Sequence, residues 1–332
     1  MQSLSPRISV VIPTHNRPEL LAEALQSMVQ QTAGDWEVIV VDDGSSPPVS
    51  LGELAEGWGE KLRVLRHAMP KGGPAAKNTG AQAARGDIIA FLDDDDLYAP
   101  EYLERALYVL ERYPEVSVVF MGVSWFGANA EWGEEAYRQA MDKTLQEARG
   151  IEAEPGVILF GDALVGALLN RVPMAFQRPV VRRRAFEAIG GYREACLLWD
   201  CDWATRAALQ VRSALLNEGV YRQRADNQGF SSKRERRLEH LLSGVEIRDR
   251  LLQQVALLDR HKDKSRLFRE AAAKGWFDLA YYYYGSGRPG KALAAWWQSQ
   301  KRLFKAGRAK LLIRLLLSVL WRGRGQEQRP GP

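Results

Sequence analysis

Asp87-Ile-Ile-Ala-Phe-Leu-Asp-Asp-Asp-Asp-Leu-Tyr-Ala-Pro100 is an apolar run that ends in four consecutive carboxylates, Asp93 to Asp96. Adjacent like charges repel and a carboxylate only accepts hydrogen bonds, so such a cluster at a strand end calls for a cation. Oxygen-only ligands favour a hard divalent ion, Mg²⁺ or Mn²⁺, over zinc or copper. The plainer alternative is a solvated acidic turn before the next helix, whose first turn holds Pro100, Glu101 and Glu104. A second acidic point is Leu198-Trp-Asp-Cys-Asp-Trp-Ala-Thr-Arg206. If it opens a helix, Asp200 lies in the first turn, with Trp199 and Trp203 one turn apart on a common face. A carboxylate beside large aromatics loses hydration, which raises its pKa from about 3.9 and makes it a better base. Alternatively, Asp200 caps the helix while Asp202 pairs with Arg206 four residues on.

These residues need elements to position them. Ile8–Ile12 reads as a buried strand that stops at the turn-rich Pro13-Thr-His-Asn-Arg-Pro18. Helical spacing of Leu21, Ala24, Leu25 and Met28 predicts a helix over Glu19–Gln31. Strands follow at Trp36–Val41, Leu62–Arg66, Ile88–Leu92 and Val116–Phe120, with helices at Pro74–Arg85 and Pro100–Arg112 between them. Strands alternating with helices imply right-handed crossovers and a mainly parallel sheet covered on both faces. Ligands of such sheets bind beyond the carboxyl ends of the strands. Thr14 and Asn16, Asp42 and Asp43, and Asp93–Asp96 all follow strand ends, so the topology gathers them on one rim. Taken singly, Asp43-Gly44 is also a turn signal and Asn16 a helix cap. Residues 121–176 show helical patches such as Glu134–Glu147 among aromatics and glycines, as a substrate-facing segment or a structural insertion would. Arg178–Arg182 reads as a strand, and Arg183–Ile189 as a short helix broken at Gly190-Gly-Tyr192.

With 332 residues, 46% hydrophobic and 26% charged, the chain has room for one large domain plus an appendage and is not globally disordered. Two cysteines, Cys196 and Cys201, and four unclustered histidines point to neither a disulfide framework nor a zinc site. Met1–Arg7 lacks the apolar core of a signal peptide, and no apolar run reaches the roughly 20 residues that span a bilayer. A cytoplasmic setting is therefore expected. The net charge of +5 divides into −9 over residues 1–230 and +14 over residues 231–332, so the two parts face different partners.

The motifs together resemble the family 2 inverting glycosyltransferases of the GT-A fold, from about Ile8 to Gln228. The resemblance is carried by Pro13-Thr-His-Asn-Arg17, Val41-Asp-Asp-Gly-Ser45, the Gly-rich stretch Gly72–Gly80 with its Asn-x-Gly, Phe91–Asp96, and Gly190-Gly191. It implies a GT-A-type, Rossmann-like α/β catalytic domain over residues 1–230, followed by an all-helical extension. By the same resemblance Asp43 binds the nucleotide base, Pro13, Thr14 and Asn16 line its pocket, and Asp42 sits alongside. Lys77 contacts the nucleotide, Asp93 and Asp95 form the Asp-x-Asp pair that holds Mn²⁺ or Mg²⁺, Asp94 lies nearer the donor sugar, and Asp200 is the catalytic base. Two positions depart from the pattern. Trp199 stands where relatives carry Glu, and Arg224 where many carry a metal-binding His, which leaves the metal's third protein ligand open. An arginine there suits a diphosphate, whose oxygens match its planar fork.

After Ser231 the sequence becomes Arg-rich and helical, with Leu238, Leu241, Leu242 and Val245 at helical spacing. Trp276, Leu279, Ala280, Tyr283, Gly287, Ala292 and Trp296 match one tetratricopeptide-like helix pair within residues 231–300. Residues 301–324 carry eight basic side chains and no acidic one around Leu311–Trp321. This part, 301–332, reads as a basic amphipathic helix lying on an anionic membrane surface, with a disordered end from Gly323. The alternatives are a packed terminal helix with a basic edge, or a nucleic-acid patch, which lacks its usual interleaving of aromatic and basic residues. The function the resemblance implies is metal-assisted transfer of a sugar, uridine-diphosphate linked by family frequency, to a cell-surface glycan or lipid-linked acceptor at the inner membrane face. The rival readings are a non-catalytic nucleotide-sugar-binding scaffold and a nucleotidyltransferase. The last would need a Gly-rich phosphate loop after the first strand, and Pro13–Pro18 is not one.

Overall fold

The computed structural model describes residues 6–50, 52, 57–226, 236–257 and 264–315. The chain divides into two compact units, Met1–Phe230 and Ser231–Pro332. The N-terminal unit begins with β1 (Ile8–Thr14), α1 (Pro18–Val29), β2 (Trp36–Asp42), β3 (Leu62–Arg66), α2 (Gly73–Ala83), β4 (Ile88–Phe91) and β5 (Leu97–Tyr98). It continues with α3 (Tyr102–Arg112), β6 (Val118–Phe126), α4 (Ala130–Ala148), β7 (Ile151–Glu154), β8 (Val157–Phe160) and α5 (Ala163–Asn170). It closes with β9 (Pro179–Arg182), α6 (Arg183–Ile189), α7 (Trp199–Gln210) and β10 (Ser213–Arg224).

Among the described residues these strands form one mixed, mostly parallel sheet in the order β3-β2-β1-β4-β9-β6-β10-β8-β7, with β5 paired to β10. Only β5, β8 and β9 run against the common direction. β2 and β4 are buried along their whole length and β1 along nearly all of it, as β-branched strands covered on both faces must be. The edge strand β3 is only half-buried and carries Arg63 and Arg66, charges that discourage pairing with another chain. Within the segment over 121–176, β7 and β8 extend the sheet, and α5 packs with Leu164, Val165 and Leu168 buried.

Two glycines fix how closely elements meet near the strand ends. Gly44, at φ +74, lies against Pro70, where an added Cβ would come within 2.7 Å of the backbone nitrogen. Gly80 seats α2 on β1, and a Cβ there would lie 2.3 Å from Val11 Cγ1. Two residues earlier, the Asn78 side chain donates to the Tyr192 carbonyl at 2.8 Å and accepts its N–H at 2.8 Å. The Asn-x-Gly spacing thus locks α2 to β1 on one side and to the segment after Gly191 on the other.

The C-terminal unit contains α8 (Arg237–Leu257), α9 (Ser265–Gly285) and α10 (Pro289–Arg302). The residues that match the repeat spacing face inward: Leu279, Ala280, Ala292 and Trp296 are buried with Val245 of α8, and Trp276 and Tyr283 pack against them. Gly287, at φ +70, makes the turn between α9 and α10. The chain after α10 does not stand apart from this core. Leu311 and Leu315 complete it, and the Trp296 indole N–H donates to the Arg308 carbonyl at 2.9 Å. The stretch through Leu315 thus packs as a terminal helix, because its apolar spacing fits the α9–α10 pair better than water; residues 316–332, including Gly323–Pro332, lie outside the described residues. No helix among the described residues is long and apolar enough to cross a membrane.

Overpacking a close helix–strand contact typically costs about 1–3 kcal/mol. Gly80→Ala is expected to lower stability by that amount in urea unfolding, whereas Gly34→Ala, which has open space around it, has no packing penalty.

Candidate active site

The four carboxylates after β4 alternate. Asp94 and Asp96 are buried, whereas the side chains of Asp93 and Asp95 keep 27% and 21% exposure. Cations and donors from several elements hold them. Lys77 of α2 meets Asp93 at 2.6 Å, and Arg178, just before β9, meets Asp93 at 3.3 Å and Asp96 at 3.5 Å. Arg17, just before α1, reaches Asp94 at 3.2 Å and Asp95 at 3.1 Å. The Thr14 hydroxyl donates to Asp94 at 2.7 Å. Asp96 accepts from the Tyr221 hydroxyl at 2.8 Å and from the Arg224 N–H at 2.9 Å, which ties the loop to β10.

The charges respond to this setting. Burial alone would raise Asp93, but Lys77 and Arg178 pull it down to about 2. Asp94, with only Thr14 and Arg17 to offset burial and two charged neighbours, is pushed up to about 6. Burial lifts Asp96 to about 7 against the pull of Arg178. One loop therefore holds two partly exposed carboxylates and two buried ones.

The Asp42–Ser45 turn divides its labour similarly. Asp42 is consumed by its own loop, accepting from the Ser45 N–H at 2.8 Å, the Val49 N–H at 3.1 Å and the Arg66 guanidinium. Asp43 accepts from the Lys71 N–H at 2.9 Å, the Gly72 N–H at 2.7 Å and contacts His67 Nδ1 at 2.6 Å. Its Oδ2 has one of these partners and so retains room for another donor. Asn16 is not a helix cap: at φ 54 its side-chain oxygen accepts from the Ser46 N–H at 2.8 Å and its own N–H donates to Ser45 Oγ at 3.0 Å. It pins the end of β1 to this turn beside the half-buried Pro13.

Asp200 occupies the first turn of α7, and Trp199 and Trp203 both meet Tyr192, with ring centroids 4.7 and 5.7 Å away. Asp202 pairs with Arg206 at 2.8 Å and with Arg193, so the helix's ion pair belongs to Asp202 and leaves Asp200 out of it. Burial raises Asp200 above the usual carboxylate range, opposed by the Cys201 N–H at 2.7 Å and by the charges of Arg178 and Lys77. Trp199 lies under Lys77, whose Nζ is 4.7 Å from its ring. Arg224 is already engaged: its Nε donates to the Asp95 carbonyl at 2.8 Å, another nitrogen meets Glu23, and the group lies 4.6 Å over Phe126.

Sequence reasoning missed Arg178. A basic residue opening a strand reads as a solvated edge, yet this one is buried, 4.7 Å over the Tyr221 ring, and it acts on Asp93, Asp96 and Asp200 together. Tyr221, whose hydroxyl donates to Asp96, likewise carries no local sequence signal.

The sequence and the fold have known counterparts. Residues 9–161 match the family model described as Glycosyl transferase family 2. The N-terminal unit belongs to glycosyltransferase family 2. An uncharacterized glycosyltransferase of Haemophilus influenzae is 34% identical over 113 residues, 34% of this chain and 37% of that protein. The succinoglycan biosynthesis protein ExoW of Rhizobium meliloti is 39% identical over 113 residues, 32% of this chain and 35% of that protein. The chain thus spans about a third of the length of these relatives. Among solved structures, residues 1–349 of S. aureus TarS in complex with UDP-GlcNAc align with a TM-score of 0.55 and 16% identity over 89% of this chain and 92% of that one. A mannosyltransferase of Pyrobaculum calidifontis in complex with GDP-Man and Mn²⁺ aligns with a TM-score of 0.50 and 20% identity over 96% and 88%. At these identities the likeness shows the GT-A-like fold.

Removing one partner of a buried ion pair typically costs about 3–5 kcal/mol. Arg178→Met is expected to destabilise the family 2 domain by about that much in urea unfolding near pH 8. Near pH 5 the loss is smaller, because a protonated Asp96 needs no counter-charge. An equal loss at both pH values would show that Arg178 acts through packing alone.

Proposed function

We propose that the N-terminal unit transfers a sugar from a nucleotide-diphosphate sugar to an acceptor hydroxyl with inversion at the anomeric carbon. The observation that carries this reading is that Lys77 and Arg178 bind Asp93 and also act on Asp200. The carboxylate suited to the donor's diphosphate end and the carboxylate suited to the acceptor's proton are thereby parts of one charge network. ExoW acts in succinoglycan biosynthesis, and TarS is solved with UDP-GlcNAc, which supports a uridine donor and a cell-surface glycan acceptor.

In this reading Asp43 receives donors from the nucleotide base through its remaining acceptor site, in the pocket bounded by Pro13 and Asn16. Thr14 acts indirectly by holding Asp94, Asp42 by shaping the turn, and Arg224 by fixing the Asp95 backbone. The bond from the anomeric carbon to the diphosphate oxygen breaks as the acceptor oxygen bonds to that carbon. Asp200 takes the acceptor's proton, and the nucleoside diphosphate leaves with the electron pair. Its raised pKa makes Asp200 a stronger base than an exposed aspartate. Lys77 lies where negative charge grows on the leaving group, and nearby carboxylates favour the oxocarbenium character of the sugar.

Among the described residues no three acidic, histidine or cysteine side chains form a ready metal cluster. Magnesium, however, is held through one or two carboxylates plus substrate phosphates, and Asp93 and Asp95 are the accessible pair, so the residues fit an ion arriving with the diphosphate. A Mn²⁺ or Mg²⁺ ion held there would supply fixed positive charge to the leaving diphosphate.

The test is binding and turnover of a nucleotide-sugar panel with crude lipid-linked acceptors, with and without Mn²⁺. Asp200→Asn is expected to bind donor as wild type does and to transfer about 10²–10⁴-fold more slowly. In wild type, transfer falls as pH drops through the raised pKa of Asp200, and this acid limb disappears in the variant. Asp43→Ala weakens nucleotide binding by about 1.5–3 kcal/mol, the worth of hydrogen bonds to a charged group. A donor that binds but is never turned over by wild type would replace the enzyme reading with the scaffold.

A further inference from the structure

The C-terminal unit leaves several large apolar side chains exposed to water. Leu293 and Trp297 lie one turn apart on α10 and are 41% and 54% exposed, Phe304 just beyond the helix is 76% exposed, and Ile313 is 57% exposed. Single exposed apolar side chains are ordinary. The surroundings of these are not. No aspartate or glutamate occurs from Leu279 to Gln326, while Lys291, Lys301, Lys305, Lys310 and Arg314 are all exposed. Lys301 Nζ lies 5.8 Å from the Trp297 ring, so cation and aromatic share one patch.

Other basic residues of the same stretch are used internally. Arg302 pairs with Asp249, and the buried Arg308 donates to Ser299 Oγ at 2.9 Å. Leu311 and Leu315 are turned into the core, so they are not the residues that meet a partner. What remains outside in this stretch is two large aromatics, two aliphatics and several cations, most of them lysines.

We infer that this surface docks on an anionic lipid bilayer, with Trp297 and Phe304 entering the headgroup region and Lys301, Lys305 and Lys310 meeting lipid phosphates. The chemistry favours a bilayer over a protein. Protein interfaces are depleted in lysine, whereas long lysine stems lie along apolar surface while their ammonium groups stay with water and phosphate. Tryptophan and other amphipathic rings suit the same depth. The inference goes beyond the transferase reading and stands without it.

Flotation of the full chain with phosphatidylcholine vesicles, with and without phosphatidylglycerol, tests it. Wild type is expected to float with the anionic vesicles only, and less at high salt. The triple variant Lys301→Glu, Lys305→Glu, Lys310→Glu should lose binding on the order of a hundredfold, from about fivefold per basic residue near such a surface. The double variant Trp297→Ser, Phe304→Ser should lose at least about tenfold, the equivalent of the burial it forgoes. Both variants change exposed side chains, and unchanged thermal melting confirms that they fold. The inference fails if wild type does not float with anionic vesicles, or if both folded variants float as wild type does. It also fails if wild type alone sediments as an oligomer that the serine variant disperses, which would make the face a contact between copies.

Discussion

Four carboxylates in sequence at the end of a buried strand are the constraint on which the rest of the N-terminal unit depends. Desolvated acids either find cations or take up protons. Here both outcomes occur side by side: Asp93 is held ionised by Lys77 and Arg178, while Asp94 and Asp96 are lifted toward neutrality. The cations come from the start of α1, from α2 and from the start of β9, so the loop cannot settle until distant parts of the chain have packed. This gives the antiparallel β9 a role beyond completing the sheet, since its place between β4 and β6 brings Arg178 to the loop. Tyr221 and Arg224 of β10 close the loop from the other side.

The same electrostatics accounts for the two departures from the family pattern. A glutamate at position 199 would stand beside Lys77 and compete with Asp93 for its charge. Trp199 instead offers the ammonium a ring face 4.7 Å away, which attracts it without neutralising it. Arg224 does not replace a histidine ligand in kind. Its nitrogens are taken by the Asp95 carbonyl and by Glu23, so it contributes by fixing the backbone of an accessible carboxylate.

Much of this was legible in the residues. Strand ends could be read from β-branched runs that stop at Pro13, Asp42 and Asp93, and a parallel topology then places those ends on one rim. Asp200 could be told from Asp202 only as an alternative, because helical spacing permits Arg206 to reach Asp202 but does not show that Arg193 reaches it too. Arg178 was not legible: local pattern cannot distinguish a solvated strand-end arginine from one that folds over Tyr221 into an acidic pocket. β10 was missed for a related reason. Its pairing with β6 shifts register between Leu216 and Tyr221, across Asn217, Glu218 and Gly219, which read locally as a break.

The C-terminal unit shows how the same apolar sequence divides between folding and display. A leucine-rich segment among arginines fits either a bilayer or a protein core, and spacing alone favours neither. Geometry separates the two within a few residues: Leu311 and Leu315 turn inward, while Ile313 and Arg314 between them turn outward. Once the helix pair has taken the leucines it needs, the remaining positive charge has no acidic residue within the stretch to neutralise it. Exposed cations such as Lys301, 5.8 Å from the Trp297 ring, therefore accompany the exposed aromatics, where an anionic surface gains attraction and burial from the same contact.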